Sequence, residues 1–508
     1  MHIHTLVAAL EQQPTHIHAP EALKSLPDIT SLAYDSRKVV TGGLFIAVPG
    51  THTDGQRYIL DAAKRGAVVA LGEARSSSEP TDLPLPYIEV PDVRKALADL
   101  ATTFYGTPAQ QLCTIGVTGT DGKTTTSNLI SALFETAGRP NGMMTTANFR
   151  VAGEEFENTT RQSTLEALEI QEFLQRLLKR DISYAVVEAT SHGLALERVR
   201  GCLFDVGVVT NITHEHLDFH KTLAEYRRAK ARLFEMLDPA REKALGTQPT
   251  AILNRDDSSY EFLKPFCQVP ILDYGIDTPA AVRAVDLELK AHSTRFRVIL
   301  PDTEGMIETQ LVGRFNVSNC LAAIATAYSQ GIPLPIIAQG LAAVQGVTGR
   351  MERIDEGQQF AVIVDYAHTA DSLEKVLNIL RPLTPGKLMV VFGSAGERDV
   401  QKRPIMGRIA AQKADFFVIT DEDPREEDRE SILREIAAGA EEIGKRQGQN
   451  FLCIADRREA IATAFAHAQQ GDTILLAGKG HEQSIIMGRE KLPWDDRQVA
   501  REEIQKLR

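Results

Sequence analysis

Apolar residues fall into short runs along the chain, and most runs lead through glycines or polar residues into a stretch with helical spacing. The run Leu112-Cys113-Thr114-Ile115 reads as a buried strand. Beyond the polar segment 116–126, residues 127–137 carry Leu129, Ile130, Leu133 and Phe134 at helical intervals. Runs at 184–187 and 204–209 read as further strands, and 223–236 reads as a helix. After Gly349 the apolar runs 360–364, 388–392, 416–419, 452–454 and 473–476 alternate with helical stretches, which predicts a mostly parallel sheet. Near the N-terminus, Gly42-Gly43 leads into a short strand, and Asp54 opens a helix that ends near Gly66. Phe104-Tyr105-Gly106-Thr107-Pro108 reads as a linker, and Gly349-Arg350-Met351-Glu352 marks a second boundary. The expected fold class is α/β in three domains. Residues 1–108 form a small N-terminal α/β domain, 109–346 a central P-loop-type domain with a mostly parallel sheet, and 347–508 a C-terminal Rossmann-like α/β domain.

Length agrees, since 508 residues suit about three domains. With 43% hydrophobic and 24% charged residues the composition is that of a globular protein. No apolar run reaches the roughly 20 residues of a membrane span, and Met1-His2-Ile3-His4-Thr5 lacks the basic and apolar regions of a secretion signal. A cytoplasmic protein without a membrane partner is expected. The net charge of -12 argues against a nucleic-acid binder. Five scattered cysteines (Cys113, Cys202, Cys267, Cys320 and Cys453) contain no C-x-x-C pair, which suits a reducing compartment.

Candidate chemistry begins at Gly116-Val117-Thr118-Gly119-Thr120-Asp121-Gly122-Lys123-Thr124-Thr125-Thr126. Strand, glycine turn, lysine, hydroxyls and helix form the layout that cradles a polyphosphate. Backbone N–H groups approach the phosphates, the lysine neutralises their oxygens, and a threonine hydroxyl can hold Mg²⁺. Val117 occupies the position of the first glycine in the strict G-x4-GK[ST] spacing, so only the tighter Gly119-x-x-Gly122-Lys123-Thr124-Thr125 form is present.

Glu188 ends the 184–187 strand, where open α/β sheets bind ligands, and one carboxylate can anchor Mg²⁺. The alternative is an ordinary exposed strand end. His214, His216 and His220 invite a zinc reading, but His214 and His216 lack the i, i+4 spacing and no cysteine is near. A single histidine with Asp218 beside phosphates fits better. Arg227, Arg228, Lys230 and Arg232 read as a solvated helix face. Asn316 reads as a helix cap. In the third domain four polar loops follow the strands at one sheet edge: 365–369, 393–399, 421–425 and 478–482. Their mixed charges suit a zwitterionic ligand.

Taken as an ordered set, these motifs resemble the Mur ligase family, and most closely its tripeptide-synthetase branch, which attaches the third residue of the peptidoglycan stem. The residues carrying the match are Asp35-Ser36-Arg37, 119–126, Asn158-Thr159-Thr160, Glu188 with Ser191-His192-Gly193, His216-Leu217-Asp218, Lys230, 315–319, 349–352, 365–369, Glu397-Arg398-Asp399, Asp423-Pro424-Arg425 and Gly478-Lys479-Gly480-His481-Glu482.

The resemblance implies an ATP-dependent ligase that extends UDP-N-acetylmuramoyl-L-alanyl-D-glutamate through an acyl phosphate, with the domains closing around that intermediate. Its third residue would be meso-diaminopimelate, L-lysine or L-ornithine. Ser36 and the loop near Thr51 and His52 would hold the UDP part. Asn158, Thr159, Thr160, Thr190 and Arg198 would meet the sugar-peptide. ATP would lie on Gly119, Thr120, Asp121, Gly122, Lys123, Thr124 and Thr125, with Asn316, Arg350 and Asp365 contacting it. Catalysis would rest on Lys123, Lys230, Glu188 and His216, with Mg²⁺ held by Thr124, Glu188 and His216.

Lys230 would be carbamylated by CO₂ to N6-carboxylysine. Arg398, Asp423, Pro424, Arg425, Gly478 and Glu482 would receive the amino acid. Arg425 favours a ligand carboxylate, as in meso-diaminopimelate. Asp423, where the family more often has Asn, adds a negative charge that favours a plain ammonium. Asp121 also replaces a commoner Asn, with little effect expected. Partners would be small molecules only, and the chain a monomer. A sibling ligase, such as another Mur step or a folylpolyglutamate-type enzyme, and a P-loop NTPase are the alternatives.

Overall fold

The computed structural model describes residues 1–50, 54–74, 83–158, 162–213, 217–243, 245–290 and 293–507, without the side chains of residues 157, 217 and 218. Two compact units make up the chain. The first comprises Met1–Val285, Val298–Gly305 and Ser318–Gln339, and the second Asp286–Arg297, Met306–Val317 and Gly340–Arg508.

The first unit holds two sheets. Strands β1 (His16–His18), β2 (Leu32–Ala33), β3 (Gly43–Ile46), β4 (Ala67–Gly72) and β5 (Tyr87–Glu89) lie in the order β1-β5-β4-β3-β2. All pairs are parallel except β1 with β5. Runs such as Ala67-Val68-Val69-Ala70-Leu71 are apolar on both faces because each face carries its own core. The expected helix after Asp54 starts as a 3-10 turn, Gly55–Tyr58, before the α-helix Ile59–Lys64. Helix Val93–Phe104 packs on helix Ala167–Leu178, and Arg200 pairs with Asp99 at 2.8 Å and with Glu11. These contacts hold the small sheet to the central one.

The central sheet contains β6 (Cys113–Thr118), β7 (Asn141–Met144), β8 (Asn148–Val151), β9 (Glu154–Glu157), β10 (Tyr184–Glu188), β11 (Val206–Val209), β12 (Thr250–Asn254), β13 (Ile271–Gly275) and β14 (Val282–Leu289). Their order is β14-β13-β12-β11-β6-β10-β7-β8-β9, with β15 (Thr294–Ile299) and β16 (Glu304–Thr309) continuing past β14. From β14 to β7 the pairing is parallel; β8 and β9 are antiparallel additions.

Strand β6 lies between β10 and β11, so the loop after it opens where the sheet has ligand-binding strand ends on both sides. Gly116 lets helix Leu223–Glu235 come close, since a Cβ there would sit 2.6 Å from Leu233 Cδ1. At the other end of β6, buried Lys243 pairs with Asp205 at 2.6 Å and donates to the carbonyls of Leu112 and Leu203. Asp205 in turn accepts from the N–H of Thr114 at 2.7 Å. Every hydrogen-bonding group brought inside there has a partner, which is what makes a buried pair tolerable.

The second unit carries β17 (Glu352–Ile354), β18 (Ala361–Asp365), β19 (Leu388–Phe392), β20 (Phe416–Ile419), β21 (Phe451–Cys453) and β22 (Thr473–Ala477), ordered β17-β18-β22-β19-β20-β21. All pairs are parallel except β17 with β18. Cores on both faces make it a Rossmann-like layer structure. A hairpin of β23 (Ser484–Met487) and β24 (Glu490–Pro493) follows.

Three boundaries that bear on the site differ from the pattern reading. Strand β6 runs on through the glycine to Thr118, and the next helix starts at Lys123 instead of Ser127. The turn ends at Gly122 in the left-handed region (φ +80°), and Thr124, Thr125 and Thr126 are buried in the first helical turns. Helix Arg314–Ser329 begins before Asn316, which is therefore inside the helix and not its cap. Its Nδ2 donates to Val312 O at 2.9 Å.

Candidate active site

The loop 119–122 is shaped by contacts from the end of β11. Thr210 Oγ1 donates to Asp121 O at 2.6 Å, and Asn211 Nδ2 does so at 3.1 Å. The N–H groups of Thr120 and Asp121 are held by Asn211 O and Oδ1. Thr120 Oγ1 lies 3.0 Å from Tyr226 Oη and accepts from Thr213 N–H at 3.0 Å. The loop is thus fixed from outside, with helix Lys123–Thr136 projecting its N-terminus behind it. A Cβ on Gly122 would meet Asn319 Oδ1 at 2.3 Å, so glycine is required sterically as well as for its φ. Lys123 folds back and donates to Thr120 O at 2.7 Å.

Glu188 is not an ordinary strand end: it is 1% exposed. Its Oε2 accepts from Thr124 Oγ1 at 2.9 Å and from Thr146 N–H at 3.0 Å, and its Oε1 accepts from Thr146 Oγ1 at 2.9 Å. The parallel register places Glu188 beside Val117, just before the phosphate loop. One carboxylate and one hydroxyl, both hard oxygen donors, suit Mg²⁺, which takes few protein ligands. Among the described residues no group of three or more His, Cys, Asp or Glu is arranged to hold a metal ion. His214 and His216 lie outside the described residues, as does the side chain of Asp218.

Lys230 corrects the reading of its helix as a solvated face. It is 1% exposed, its Nζ donates to Gly119 O at 2.6 Å, and it stands 4.5 Å from the centre of the Tyr226 ring. Arg228, by contrast, is exposed and pairs with Glu235 at 2.6 Å. The helix therefore turns one cation inward, onto the phosphate loop.

Of the residues expected to meet the UDP-sugar-peptide, Thr159, Thr160, Thr51 and His52 lie outside the described residues. Ser36 Oγ donates to Asp61 at 2.8 Å. Asn158 is buried and donates to the carbonyls of Thr145 and Gln162. Thr190 caps the short helix Ser191–Ala195 and lies 3.0 Å from Thr164 Oγ1, which donates to Glu188 O. Arg198 pairs with Glu166 at 2.7 Å and donates to Thr164 O. Thr164 thus links Thr190 and Arg198 to the strand end bearing Glu188.

In the second unit, Asp365 ends β18 and accepts from the N–H groups of Met351 and Ala367 at 2.7 and 2.9 Å. Burial pushes its carboxyl up, against the pull of Arg350 and these N–H groups. Arg350 lies over the Tyr366 ring at 4.9 Å. Tyr366 also packs on His481, whose imidazole is lowered to about 3, first by burial and then by the Arg350 charge.

Further along the same sheet edge, Lys479 is fully buried between Asp423 at 2.9 Å and Glu482 at 2.6 Å. Asp423 Oδ1 also accepts from Ile486 N–H at 2.9 Å. The negative charge of Asp423, read from sequence as favouring an ammonium, therefore shares the single charge of Lys479 with Glu482. Pro424 and Arg425 follow directly. Arg425 has φ +58°, is held by backbone bonds to Ile486 and Gly488, and has one ion pair among the described residues, with Glu397 at 4.0 Å. Arg398 is exposed on the neighbouring loop. Gly478 packs beside the buried Glu422.

Sequence reasoning missed Thr146, Thr210, Asn211 and Tyr226. The first three follow parallel strands, so the strand-end rule that found Glu188 also points to them. All five cysteines are free, and burial pushes the thiols of Cys202 and Cys267 up to about 12, which leaves them inert at neutral pH. No helix among the described residues is long and apolar enough to cross a membrane.

Three family models match the chain in order: "Mur ligase family, catalytic domain" at residues 28–105, "Mur ligase middle domain" at 117–327 and "Mur ligase, glutamate ligase domain" at 349–480. A UDP-N-acetylmuramyl-tripeptide synthetase of Roseiflexus sp. (strain RS-1) is 47% identical over 487 residues, 95% of each chain. A UDP-N-acetylmuramoyl-L-alanyl-D-glutamate--2,6-diaminopimelate ligase of Bacillus velezensis is 40% identical over 476 residues, 93% of this chain and 94% of the relative.

A solved structure of another ligase of that same name superposes with a TM-score of 0.65 at 30% identity, covering 94% of this chain and 95% of the other. The ADP complex of a MurF ligase from Thermotoga maritima, at 18% identity and TM-score 0.59, covers 94% and 96% and speaks for the fold alone. Likeness of this extent over nearly the whole chain makes the protein a member of the Mur ligase family, the ATP-dependent ligases that form peptide bonds.

Proposed function

We propose that this enzyme adds meso-diaminopimelate to UDP-N-acetylmuramoyl-L-alanyl-D-glutamate in the cytoplasm, as a monomer. One observation carries the choice of amino acid. Asp423 is engaged internally by Lys479 and Ile486 N–H, while Arg425 offers a guanidinium whose one ion pair among the described residues, with Glu397, is 4.0 Å long. A carboxylate on the incoming side chain is what separates meso-diaminopimelate from lysine and ornithine, and a guanidinium matches it bidentately. The diaminopimelate ligase named above supports the same reading.

In this assignment residues 1–108 hold the UDP part through Ser36, residues 109–346 hold ATP, and residues 347–508 receive the amino acid. Thr190 and Arg198, with Asn158, line the approach of the sugar-peptide. Phosphates replace Thr120 O as the partner of Lys123 Nζ and take N–H bonds from the helix start. Arg350, Asp365 and Asn316 are assigned to the nucleotide as well. Thr124 and Glu188, joined by His216, would hold Mg²⁺, which when bound neutralises charge on the phosphate oxygens.

The substrate carboxylate attacks the ATP γ-phosphorus, giving an acyl phosphate and ADP. The amine then attacks the acyl carbon, and phosphate leaves carrying one former carboxylate oxygen. Positioning and charge neutralisation by Lys123 carry the first step. Lys230 as a carbamate would keep an N–H for Gly119 O and add an anionic group, which an ammonium cannot supply.

The test offers meso-diaminopimelate, L-lysine and L-ornithine in parallel with ATP, Mg²⁺ and the same UDP-dipeptide. Phosphate release with meso-diaminopimelate at least about tenfold above the others is expected from one charge-assisted pair. Preference for lysine or ornithine overturns the amino-acid assignment. Release indifferent to amine and UDP-dipeptide overturns the whole reading.

A further inference from the structure

We propose that Arg403 and Glu427 are positioning residues for the pocket that receives the incoming amino acid. This rests on the assignment of Arg398 and Arg425 to that pocket. Those two arginines lie on loops that follow adjacent parallel strands, β19 and β20.

Arg403 sits at the start of helix Lys402–Lys413 and is fully buried. Its Nη1 and Nη2 donate to Glu427 at 2.6 and 2.8 Å, and Nη2 also reaches Ala395 O at 3.3 Å. A further bond runs to Glu435 on helix Arg429–Glu441 at 2.8 Å. Glu427 passes the restraint on, because its Oε2 accepts from the N–H of Glu397 at 2.9 Å.

One clamp therefore grips both loops, through Ala395 and Glu397 on one and Glu427 on the other. Directly above it the loops touch: Gly396 N–H donates to Asp423 O at 2.8 Å, and a Cβ on Gly396 would stand 2.0 Å from Pro424 O. Glu397, which precedes Arg398, and Arg425 itself are both held in the left-handed region, at φ +55° and φ +58°. Non-glycine residues stay there only where surroundings force them. The clamp supplies that force on the Glu397 side, and it sets the spacing between Arg398 and Arg425.

Glu435 provides the control. It bonds the same guanidinium, but among the described residues its side chain makes no hydrogen bond to residues 394–399 or 421–427. A purely structural role for Arg403 lets both variants lower the melting temperature, Glu427→Gln more because it takes two of the bonds, and moves the amino-acid KM in neither. A positioning role separates them, because only Glu427 also holds Glu397, and the glutamine leaves that N–H a neutral acceptor no longer fixed by two guanidinium bonds.

The experiment measures KM for the amino acid, KM for ATP, kcat and melting temperature in the full-length enzyme, with meso-diaminopimelate as the probe and lysine as comparison. Glu427→Gln is expected to raise the amino-acid KM roughly tenfold with kcat and the ATP KM little changed, as loss of one charge-assisted restraint suggests. Glu435→Gln is expected to leave all three near wild type. Arg403→Lys keeps the buried cation but cannot span Glu427 and Ala395 together, so it should reproduce the Glu427→Gln effect; it serves if the latter does not fold. Equal effects from Glu427→Gln and Glu435→Gln, or an unchanged amino-acid KM in both Glu427→Gln and Arg403→Lys, overturn the inference. A wild-type enzyme without amine-dependent turnover overturns the functional reading instead.

Discussion

Replacing Glu188 by Gln isolates charge from shape. The amide oxygen can take the place of Oε2 and keep the bonds from Thr124 Oγ1 and Thr146 N–H. The amide NH₂ then faces Thr146 Oγ1, which can accept in place of donating at 2.9 Å. All three contacts survive, so folding stability should move by less than about 1 kcal/mol. What is lost is one negative charge. Two unit charges 4 Å apart are worth about 4 kcal/mol at an effective dielectric of 20, and a divalent ion about twice that before screening. Even a small fraction of this raises half-saturating Mg²⁺ by at least about tenfold and cuts turnover on the order of a hundredfold. The assay is phosphate release across a Mg²⁺ titration, paired with thermal melting of the same samples. An unchanged Mg²⁺ dependence at an unchanged melting temperature would refute the role given to Glu188. Glu188→Ala differs, since it strands the Thr146 N–H in the interior and should cost about 1–3 kcal/mol of stability as well.

Gly122→Ala brings a Cβ to 2.3 Å from Asn319 Oδ1 at φ +80°, so ATP affinity measured by calorimetry should fall at least about tenfold; unchanged affinity contradicts the loop geometry. Lys230→Ala should lose turnover and regain part of it with formate or acetate, whereas a role for the plain ammonium predicts rescue by small amines instead. His481, with its imidazole lowered to about 3, stays neutral in the fold while the unfolded chain takes up a proton near pH 6.5. Its contribution to stability is therefore intact above pH 6.5 and lost as pH falls toward 3. Denaturant melts of His481→Gln should be flatter than wild type across that window, and an identical pH slope would contradict the assignment.

The sequence made the phosphate loop and Glu188 legible because both lie where a strand ends, and strand ends are marked by a change from apolar to polar residues. Strands β18 to β22 of the second unit were legible for the same reason, within a residue or so at each end, whereas β17 and the β23–β24 hairpin were not. Lys230 was not, because three arginines share its helix and periodicity alone does not say which cation turns inward. The clue was Gly116, whose missing side chain lets that helix approach β6. The pairing of Asp423 was not legible because its partner, Lys479, follows another strand, and pairing between strand-end loops leaves no trace in local sequence. Arg403 was hidden similarly: a Lys-Arg pair looks solvated until Glu427 and Glu435 arrive from elsewhere. The left-handed Glu397 and Arg425 have no composition signal either, since neither residue type is enriched there.

The most direct test of the central claim labels the D-glutamyl side of the UDP-dipeptide with ¹⁸O in the reacting carboxylate and analyses the phosphate released on turnover by mass spectrometry. Formation of an acyl phosphate predicts one ¹⁸O in each phosphate, matched one for one with the amide product. Phosphate free of label, with amide still made, would contradict it.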